Sequence, residues 1–161
     1  ADFLRTLNNL GGSFGVGRSV FSSDTIIGLK GRFVFEAPGI TILMSAHRAL
    51  EEAVLTDKQN LVKTQIGQEW VNLVYRGFYF EPLRENLEAF LLDSQKMVSG
   101  EVTLKLSPGS VDAVAVSSKN ILKSPEGEYA QSATWSESES KGFITLIGQS
   151  TSTWASIHKK K

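Results

Sequence analysis

Residues 15–52 read GVGRSVFSSDTIIGLKGRFVFEAPGITILMSAHRALEE, and three local patterns follow one another in this stretch. A glycine-rich turn comes first, and β-branched and aromatic residues then fill segments 25–30 and 32–36. Short runs of this composition are typical of strands. Pro38 opens the third pattern, a helix with apolar residues at helical spacing to about Leu55, because proline is favoured in a first helical turn. The stretch therefore predicts two strands that lead into an amphipathic helix.

The flanking sequence predicts further helices. We expect them over residues 2–10, from Thr56 to just before Gly77, over residues 82–98, and from Ser136 or Ser138 through Ile147. Gly11 and Gly12 are expected to end the first helix, since glycine accepts the left-handed conformation that is common at helix ends. Aromatic residues near the end of the third helix are expected in the core: Trp70, Tyr75, Phe78, Tyr79 and Phe80.

Apolar and polar residues alternate on both sides of Pro108-Gly109, which predicts a β-hairpin over residues 102–116. Residues 117–136 are rich in Ser, Lys, Glu and Gly and predict an irregular segment. Together these patterns predict an α+β fold, in which three to four helices pack on a mixed or antiparallel sheet. A chain of 161 residues favours a single domain, with a globular part over about residues 1–147 and an extended C-terminal arm over 148–161.

Composition excludes several classes of protein. The 17 Lys and Arg residues balance 17 Asp and Glu residues, so no surface for nucleic acid or for an anionic membrane is expected. The absence of cysteine excludes disulfides and thiolate metal sites. No apolar run reaches the ~18 residues of a membrane span and no signal peptide is visible, so we expect a cytoplasmic protein. Because Ala1 precedes a helical pattern directly, we expect a fragment of a longer chain.

Three cations near the predicted strand ends are the first candidates for a binding site. Arg18, Lys30 and Arg32 are expected to cluster with Asp24 and Glu36 around a glycine turn. Fixed cations in such a place can bind an anionic or zwitterionic ligand. A salt-bridged rim of the sheet without a ligand is the alternative, and residue types alone do not separate the two.

Two other patterns are assigned structural roles. Residues 12–17 read GSFGVG but follow a helix, whereas a phosphate-binding loop follows a strand and opens a helix, so a plain turn is predicted. His47 and Glu51 are four residues apart and share a helical face. The only other histidine is His158, so we expect no metal site and a structural hydrogen bond for His47.

Seven short motifs, in order, resemble the C-terminal part of argininosuccinate synthase. They are GVGR at residues 15–18, IIGLKGR at 26–32, FEAPG at 35–39, AHRALEE at 46–52, LVYRGFYFEPLRENLEAF at 73–90, SGEVTLKL at 99–106 and KGFITL at 141–146. Each motif is weak by itself, but their common order and spacing over residues 15–147 is specific.

The resemblance implies part of an ATP-dependent ligase that joins citrulline to aspartate in arginine biosynthesis and the urea cycle. In that family ATP activates the citrulline ureido oxygen as citrullyl-AMP with release of pyrophosphate, and the aspartate amine then displaces AMP. The serine- and glycine-rich pyrophosphatase loop of the family's N-terminal domain does not occur in this sequence. We therefore expect the chain to bind no cofactor and to be inactive alone, with ATP and Mg²⁺ expected for the full-length enzyme.

The family also draws a glutamate and a tyrosine of the citrulline pocket from this region. By the resemblance, the glutamate position falls on Ser23, beside Asp24, and the tyrosine position falls on Phe35. Asp24 would restore a carboxylate only if the strand shifted by one residue, which would reverse its face. Phe35 keeps the ring and lacks the hydroxyl that forms hydrogen bonds. The citrulline contacts are thus expected to differ from the family pattern, and no residue of the chain is predicted to be catalytic.

The resemblance further implies a homo-oligomer, a tetramer in the family, with citrulline and aspartate as substrates of the whole enzyme. Two alternatives from other classes remain open. One is a non-catalytic assembly module with a vestigial pocket, and the other is a stand-alone small-ligand binding module that uses Arg18, Lys30 and Arg32. Only the ligase predicts stabilisation by citrulline once an ATP-binding domain is supplied.

Overall fold

The computed structural model describes residues 2–122 and 135–158. The chain order is α1 (Asp2–Ser13), β1 (Arg18–Asp24), β2 (Lys30–Glu36), α2 (Pro38–Val54), α3 (Asp57–Tyr75), α4 (Pro82–Ser94), β3 (Glu101–Ser107), β4 (Ser110–Ser117) and α5 (Glu137–His158). The chain divides into two compact units, residues 1–122 and 123–161, and α5 belongs to the second. The predicted α+β class is confirmed, while the single-domain organisation stays a prediction.

The strands form two separate antiparallel hairpins rather than one sheet. In the first hairpin Arg18 is opposite Glu36 and Asp24 is opposite Lys30, with no break in the register between them. In the second, Glu101 is opposite Ser117, and a bulge lies between Thr103 and Leu104. The hairpin predicted over residues 102–116 is therefore confirmed.

Helix α2 is the central element of the first unit, because it contacts α1, α3, β3 and β4. The buried apolar side chains of the described residues lie on α2 or next to its packing partners: Val16, Ile42, Leu50, Val54 and Leu55. This core is small, and many large apolar side chains on the first hairpin and on α5 remain exposed. Exposed apolar patches are typical of protein interfaces and of ligand-binding surfaces.

The prediction that Gly11 and Gly12 end the first helix is wrong, since α1 continues to Ser13. A Cβ at Gly11 would lie 2.8 Å from Ile42 Cδ1 and 2.9 Å from Pro38 Cβ, so this glycine allows α1 and α2 to approach closely. The C-terminal end of α1 is instead capped after Ser13. There the Val16 N–H donates to the Gly11 carbonyl at 2.9 Å, and Gly15 adopts a positive φ of 70°.

The strand predicted over residues 25–30 is also wrong. Residues 25–29 form the turn of the hairpin, in which the Thr25 N–H donates to Leu29 O at 2.7 Å and Gly28 has a φ of 81°. Ile27, whose β-branched side chain suggested a strand, lies at this tip and is 79% exposed. The partner of β2 is instead the serine-containing segment RSVFSSD of β1, because pairing across the hairpin outweighs local propensity.

The boundaries of α3 agree with the sequence. Thr56 Oγ1 accepts a hydrogen bond from the Gln59 N–H at 3.2 Å, and Gln59 Oε1 accepts one from the Thr56 N–H at 3.0 Å, which forms a capping box. Helix α4 begins at Pro82 as predicted, but it ends at Ser94 and a 3₁₀ turn, Gln95–Met97, follows. The Ser94 hydroxyl donates to Leu91 O at 2.7 Å, a local bond of the kind that competes with helix continuation.

The C-terminal arm expected over residues 148–161 is not a separate extended segment, since α5 runs unbroken to His158. No residue in this span breaks the helical pattern that begins at Ser136, whose hydroxyl and backbone N–H both donate to Glu139. These bonds lower the pKa of the Glu139 carboxyl below its ordinary value, the side-chain bond most of all. Within residues 2–122 and 135–158, no helix has the length and apolar content needed to cross a membrane. Most of the predicted irregular segment and the final three lysines lie outside the described residues.

The side chain of Asn8 caps helix α2 from a neighbouring helix. Ala37, at the N-cap position, makes no side-chain cap, and the Gly39 N–H instead donates to Asn8 Oδ1 at 2.8 Å. We expect Asn8→Ala to lower the free energy of unfolding by about 1 kcal/mol, the usual effect of losing such a bond at a helix start. Urea denaturation measures the change. Asn9→Ala is the matched control on α1, and equal destabilisation by both variants would contradict the cap.

Candidate functional site

The first hairpin carries every residue that the sequence proposes for ligand contacts. Since its register is unbroken, residues directly opposite one another share a face. One face, called the aromatic face here, consists of Ser19, Phe21, Ser23, Gly31, Phe33 and Phe35. The other, the charged face, consists of Arg18, Val20, Ser22, Asp24, Lys30, Arg32, Val34 and Glu36.

The aromatic face holds two of the proposed citrulline positions, Ser23 and Phe35. The rings of Phe21 and Phe35 meet edge to face with centroids 6.4 Å apart. The Phe33 ring lies over Gly31, where a Cβ would come within 2.6 Å of Phe33 Cε2. Gly31 lies directly opposite Ser23. Because both residues are small, space remains beside the Phe33 ring near the tip of the hairpin. The result is a half-exposed apolar surface with a hydroxyl at one end.

Asp24 does not share that surface. It lies on the charged face, where its Oδ1 pairs with Lys30 Nζ at 2.7 Å. Because successive residues of a strand point to opposite faces, Asp24 would reach Ser23's face only through a one-residue slip. The continuous register shows no such slip, so in this structure Asp24 does not stand in for a carboxylate at position 23.

The predicted cluster of Arg18, Lys30 and Arg32 is wrong as a single cluster. Arg18 Nε pairs with Glu36 Oε1 at 2.7 Å at the base of the hairpin, whereas Lys30 lies near its tip. The two ends of β1 are six residue steps, or about 20 Å, apart. Arg32 is two residues from Lys30 on the same face and opposite Ser22. Both ion pairs are exposed, and pairs of this kind contribute little to stability.

The glycine-rich segment 12–17 forms the predicted structural turn. The amides of Phe14 and Gly15 donate to carbonyls at the end of α1, as does that of Val16. Val16 is buried at 1% exposure. These amides are therefore engaged inside the protein rather than available to an anion.

The buried carboxylate of Glu51 is the centre of a polar cluster, which we call the Glu51 cluster. Its Oε1 is 2.9 Å from His47 Nε2, 2.6 Å from Lys63 Nζ and 2.9 Å from Gln95 Nε2. The structural hydrogen bond predicted for His47 is confirmed. Sequence reasoning missed Lys63 and Gln95, since they belong to other elements and no spacing links them to Glu51. Among the described residues, no group of three His, Cys, Asp or Glu side chains is placed to hold a metal ion.

A second polar cluster fixes the turn between α3 and α4. The buried Arg84 donates through Nε to Tyr79 O at 2.6 Å, its guanidinium lies 4.5 Å from the Tyr79 ring centroid, and it pairs with Glu88. The core position predicted for the aromatic residues is wrong for four of the five, since Tyr75, Phe78 and Tyr79 are at least half exposed and Phe80 is 93% exposed. Trp70 is only partly exposed. Arg84 therefore stabilises the turn, while the aromatic side chains of the turn remain exposed to solvent.

Helix α5 carries an apolar stripe, called the α5 stripe here. Its members recur at alternating spacings of four and three residues: Phe143, Ile147, Ser150, Trp154 and Ile157. This spacing places them on one side of a helix in the manner of a coiled-coil seam. The four apolar members are all exposed. Among the described residues, the stripe is an exposed apolar surface, as is the aromatic face.

Comparison with known proteins agrees with the resemblance noted in the sequence. A sequence model described as the arginosuccinate synthase C-terminal domain matches residues 1–154. A protein of Xanthomonas campestris pv. campestris named argininosuccinate synthase is 52% identical over 159 residues, which is 99% of this chain and 40% of that protein.

Two further relatives match the chain over a similar length. The protein of the same name from Xylella fastidiosa is 52% identical over 97% of this chain and 39% of its own length. The one from Chlorobaculum parvum is 38% identical over 99% of this chain and 40% of its own length. The chain thus spans about two fifths of the length of these relatives.

Proposed function

The chain belongs to the argininosuccinate synthase family as its C-terminal domain, and from this premise we propose that it serves the ligase that joins citrulline to aspartate. In this proposal the domain contributes residues beside the citrulline-binding site and forms contacts between the subunits of the oligomer. The observation that carries the proposal is the family match over residues 1–154. In this proposal the enzyme works in arginine biosynthesis in the cytoplasm, and citrulline and aspartate are its substrates.

The aromatic face supports a role next to substrate. Ser23 and Phe35, the positions assigned by resemblance, lie on one face of one hairpin, about 14 Å apart along the strands. Phe35 and Phe21 offer a ring surface on which an aliphatic chain can pack, and Ser23 offers a hydroxyl. A surface of this kind binds the carbon chain of an amino acid more readily than its charged ends.

ATP is assigned to the rest of the enzyme. The glycine-rich turn at residues 12–17 directs the amides of Phe14, Gly15 and Val16 to its own helix. This arrangement does not fit a nucleotide phosphate, so we assign ATP binding to the part of the enzyme outside this chain. We accordingly expect the 161 residues alone to be inactive, with Mg²⁺ and ATP bound elsewhere in the full-length protein.

A chimera tests the proposal directly. The N-terminal part of the Xanthomonas campestris relative is joined to residues 1–161, and citrulline-dependent release of pyrophosphate and AMP is measured with ATP and aspartate. We expect turnover by the chimera and none by either part alone. A chimera that folds, assembles and remains inactive would favour the non-catalytic assembly module, which the substituted residues at 23 and 35 and the α5 stripe also allow.

Restoring the family carboxylate is expected to strengthen citrulline binding. In the chimera, Ser23→Glu should lower the KM for citrulline by about tenfold, because a hydrogen bond to a charged group stabilises a complex by about 1.5–3 kcal/mol. Ser22→Glu is the matched control, since residue 22 lies next to it but on the charged face. Equal changes in KM for the two variants would contradict the role of the aromatic face.

A further inference from the structure

The pair of helices α3 and α4 has few ties to the rest of its unit. The two helices pack mainly on each other, and neither α3 nor the turn that follows it contains a fully buried residue. Helix α4 buries only Arg84, which serves the turn between the two helices. Packing of this kind leaves the pair dependent on a small number of contacts at its two ends.

Both ends of the pair converge on one residue of α2. Lys63, in the second turn of α3, donates to Glu51 Oε1 at 2.6 Å, and Gln95, directly after α4, donates to the same oxygen at 2.9 Å. Near the start of α3, Asn60 Nδ2 also donates to Leu55 O at 3.3 Å. The Glu51 side chain is 10% exposed and that of Lys63 is 23% exposed, so the ion pair is largely shielded from solvent.

The third partner of Glu51 belongs to α2 itself. His47 Nε2 is 2.9 Å from the carboxylate, one helical turn before it. This bond fixes the rotamer of Glu51 without crossing to another element. The carboxylate is thereby held in the position where the two contacts from outside α2 meet.

We propose that the Glu51 carboxylate is a latch that holds the α3–α4 pair as a flap against α2. The hinges are the extended backbone at Leu55, between α2 and α3, and the 3₁₀ turn Gln95–Met97 after α4. When the contacts to Lys63 and Gln95 break together, the pair moves away from α2 as a unit. Chain connections at both hinges keep it attached.

The flap borders a groove of about 1020 Å³ between α2 and α3. Its walls are formed by Thr41, Met44 and Arg48 from α2, and by Asn60, Lys63 and Thr64 from α3. The latch residues Glu51 and Lys63 lie within this groove. Opening of the latch therefore widens the groove, and closing it restores the groove to its observed shape.

The proposed latch also accounts for the charged and polar residue types at positions 51, 63 and 95. A buried carboxylate is stable only when it is paired and hydrogen-bonded. Removal of one partner leaves a buried group unsatisfied, which is more costly than the net value of the bond itself. Loss of Lys63 or Gln95 is therefore relieved by local opening of the flap, which lets water reach Glu51.

Hydrogen exchange of the 161-residue chain tests the proposal. In Lys63→Met we expect backbone amides of α3 and α4 to exchange about tenfold faster than in the unaltered chain, as in local opening of a cooperative segment. Amides of α1, the core part of α2 and the β3–β4 hairpin should keep their rates. Gln95→Leu removes the other contact and should give the same regional pattern.

Lys58→Met is the matched control, because Lys58 lies on the same helix, is exposed and pairs with the adjacent Asp57. It should leave all exchange rates as they are. Faster exchange spread evenly over residues 2–122 would overturn the latch and make the Glu51 cluster part of the global fold. Rates in α3 and α4 equal to those of Lys58→Met, in both latch variants, would overturn it as well. Should Lys63→Met fail to fold, Gln95→Leu decides by the same criterion.

Discussion

Gly17→Ala is expected to lower the free energy of unfolding of residues 1–122 by roughly 2–5 kcal/mol. Gly17 has a φ of 77°, in the left-handed region, where a residue with a Cβ is disfavoured by about 1–2 kcal/mol. A Cβ there would also lie 2.8 Å from the carbonyl carbon and oxygen of Ala37 and from Cα of Pro38. These are backbone atoms at the start of α2, so they cannot rotate away, and overpacking adds about 1–3 kcal/mol.

Gly28→Ala separates the two contributions. Gly28 has a φ of 81°, close to that of Gly17, but nothing lies within 4 Å of a Cβ at this position in the hairpin tip. It should therefore show the conformational cost alone. Urea denaturation of both variants, followed by circular dichroism, measures the difference. Equal destabilisation would mean that the contact with Ala37 and Pro38 relaxes at no cost.

The position of Gly17 links stability to the candidate site. The Ala37 N–H donates to Gly17 O at 3.0 Å, just beyond the pair formed by Arg18 and Glu36. This contact joins the base of the first hairpin to the start of α2. An alanine here would disturb the orientation of the aromatic face as well as the core, so the variant should weaken any ligand contact at Phe35 in addition to lowering stability.

Local signals account for what the sequence predicted correctly. The Thr56–Gln59 capping box and Pro82 begin α3 and α4, and the turn at Pro108-Gly109 joins the second hairpin. Each of these features depends on residues within a few positions of one another. Strand β1 was missed for the opposite reason, since its serines suggest a loop and only pairing with β2 makes it a strand.

The features that the sequence did not predict depend on contacts between residues far apart in the chain. Gln95 is 44 residues from Glu51, and nothing in the sequence connects them. His47 and Glu51, four residues apart, gave a recognisable pattern, and a structural hydrogen bond for His47 was predicted from it. Arg84 and Glu88 have the same spacing, which is the signal that was available for the second polar cluster. The ligand positions Ser23 and Phe35 followed from the family resemblance rather than from the residue types.

Ile147→Asp is expected to weaken self-association of the protein by at least about 100-fold. Ile147 lies in the middle of the α5 stripe and is exposed within its own unit. Where the stripe forms the contact between subunits, it is buried against another copy, and a carboxylate there would be desolvated without a partner. A symmetric interface carries the substitution twice, so a loss of about 1.4 kcal/mol per site already gives this factor. Sedimentation velocity over a range of concentrations measures the change.

The stripe has two explanations that this variant separates. Ser152→Asp places the same charge on α5 away from the stripe, where Ser152 is exposed, and it should leave association unaltered. If the stripe joins subunits, Ile147→Asp shifts the protein towards monomer, and the free energy of unfolding of the monomer changes little. If the stripe instead packs within one chain, the oligomer persists and the unfolding free energy falls. Because Phe143, Trp154 and Ile157 share the seam, each should show the same behaviour as Ile147 when replaced by aspartate.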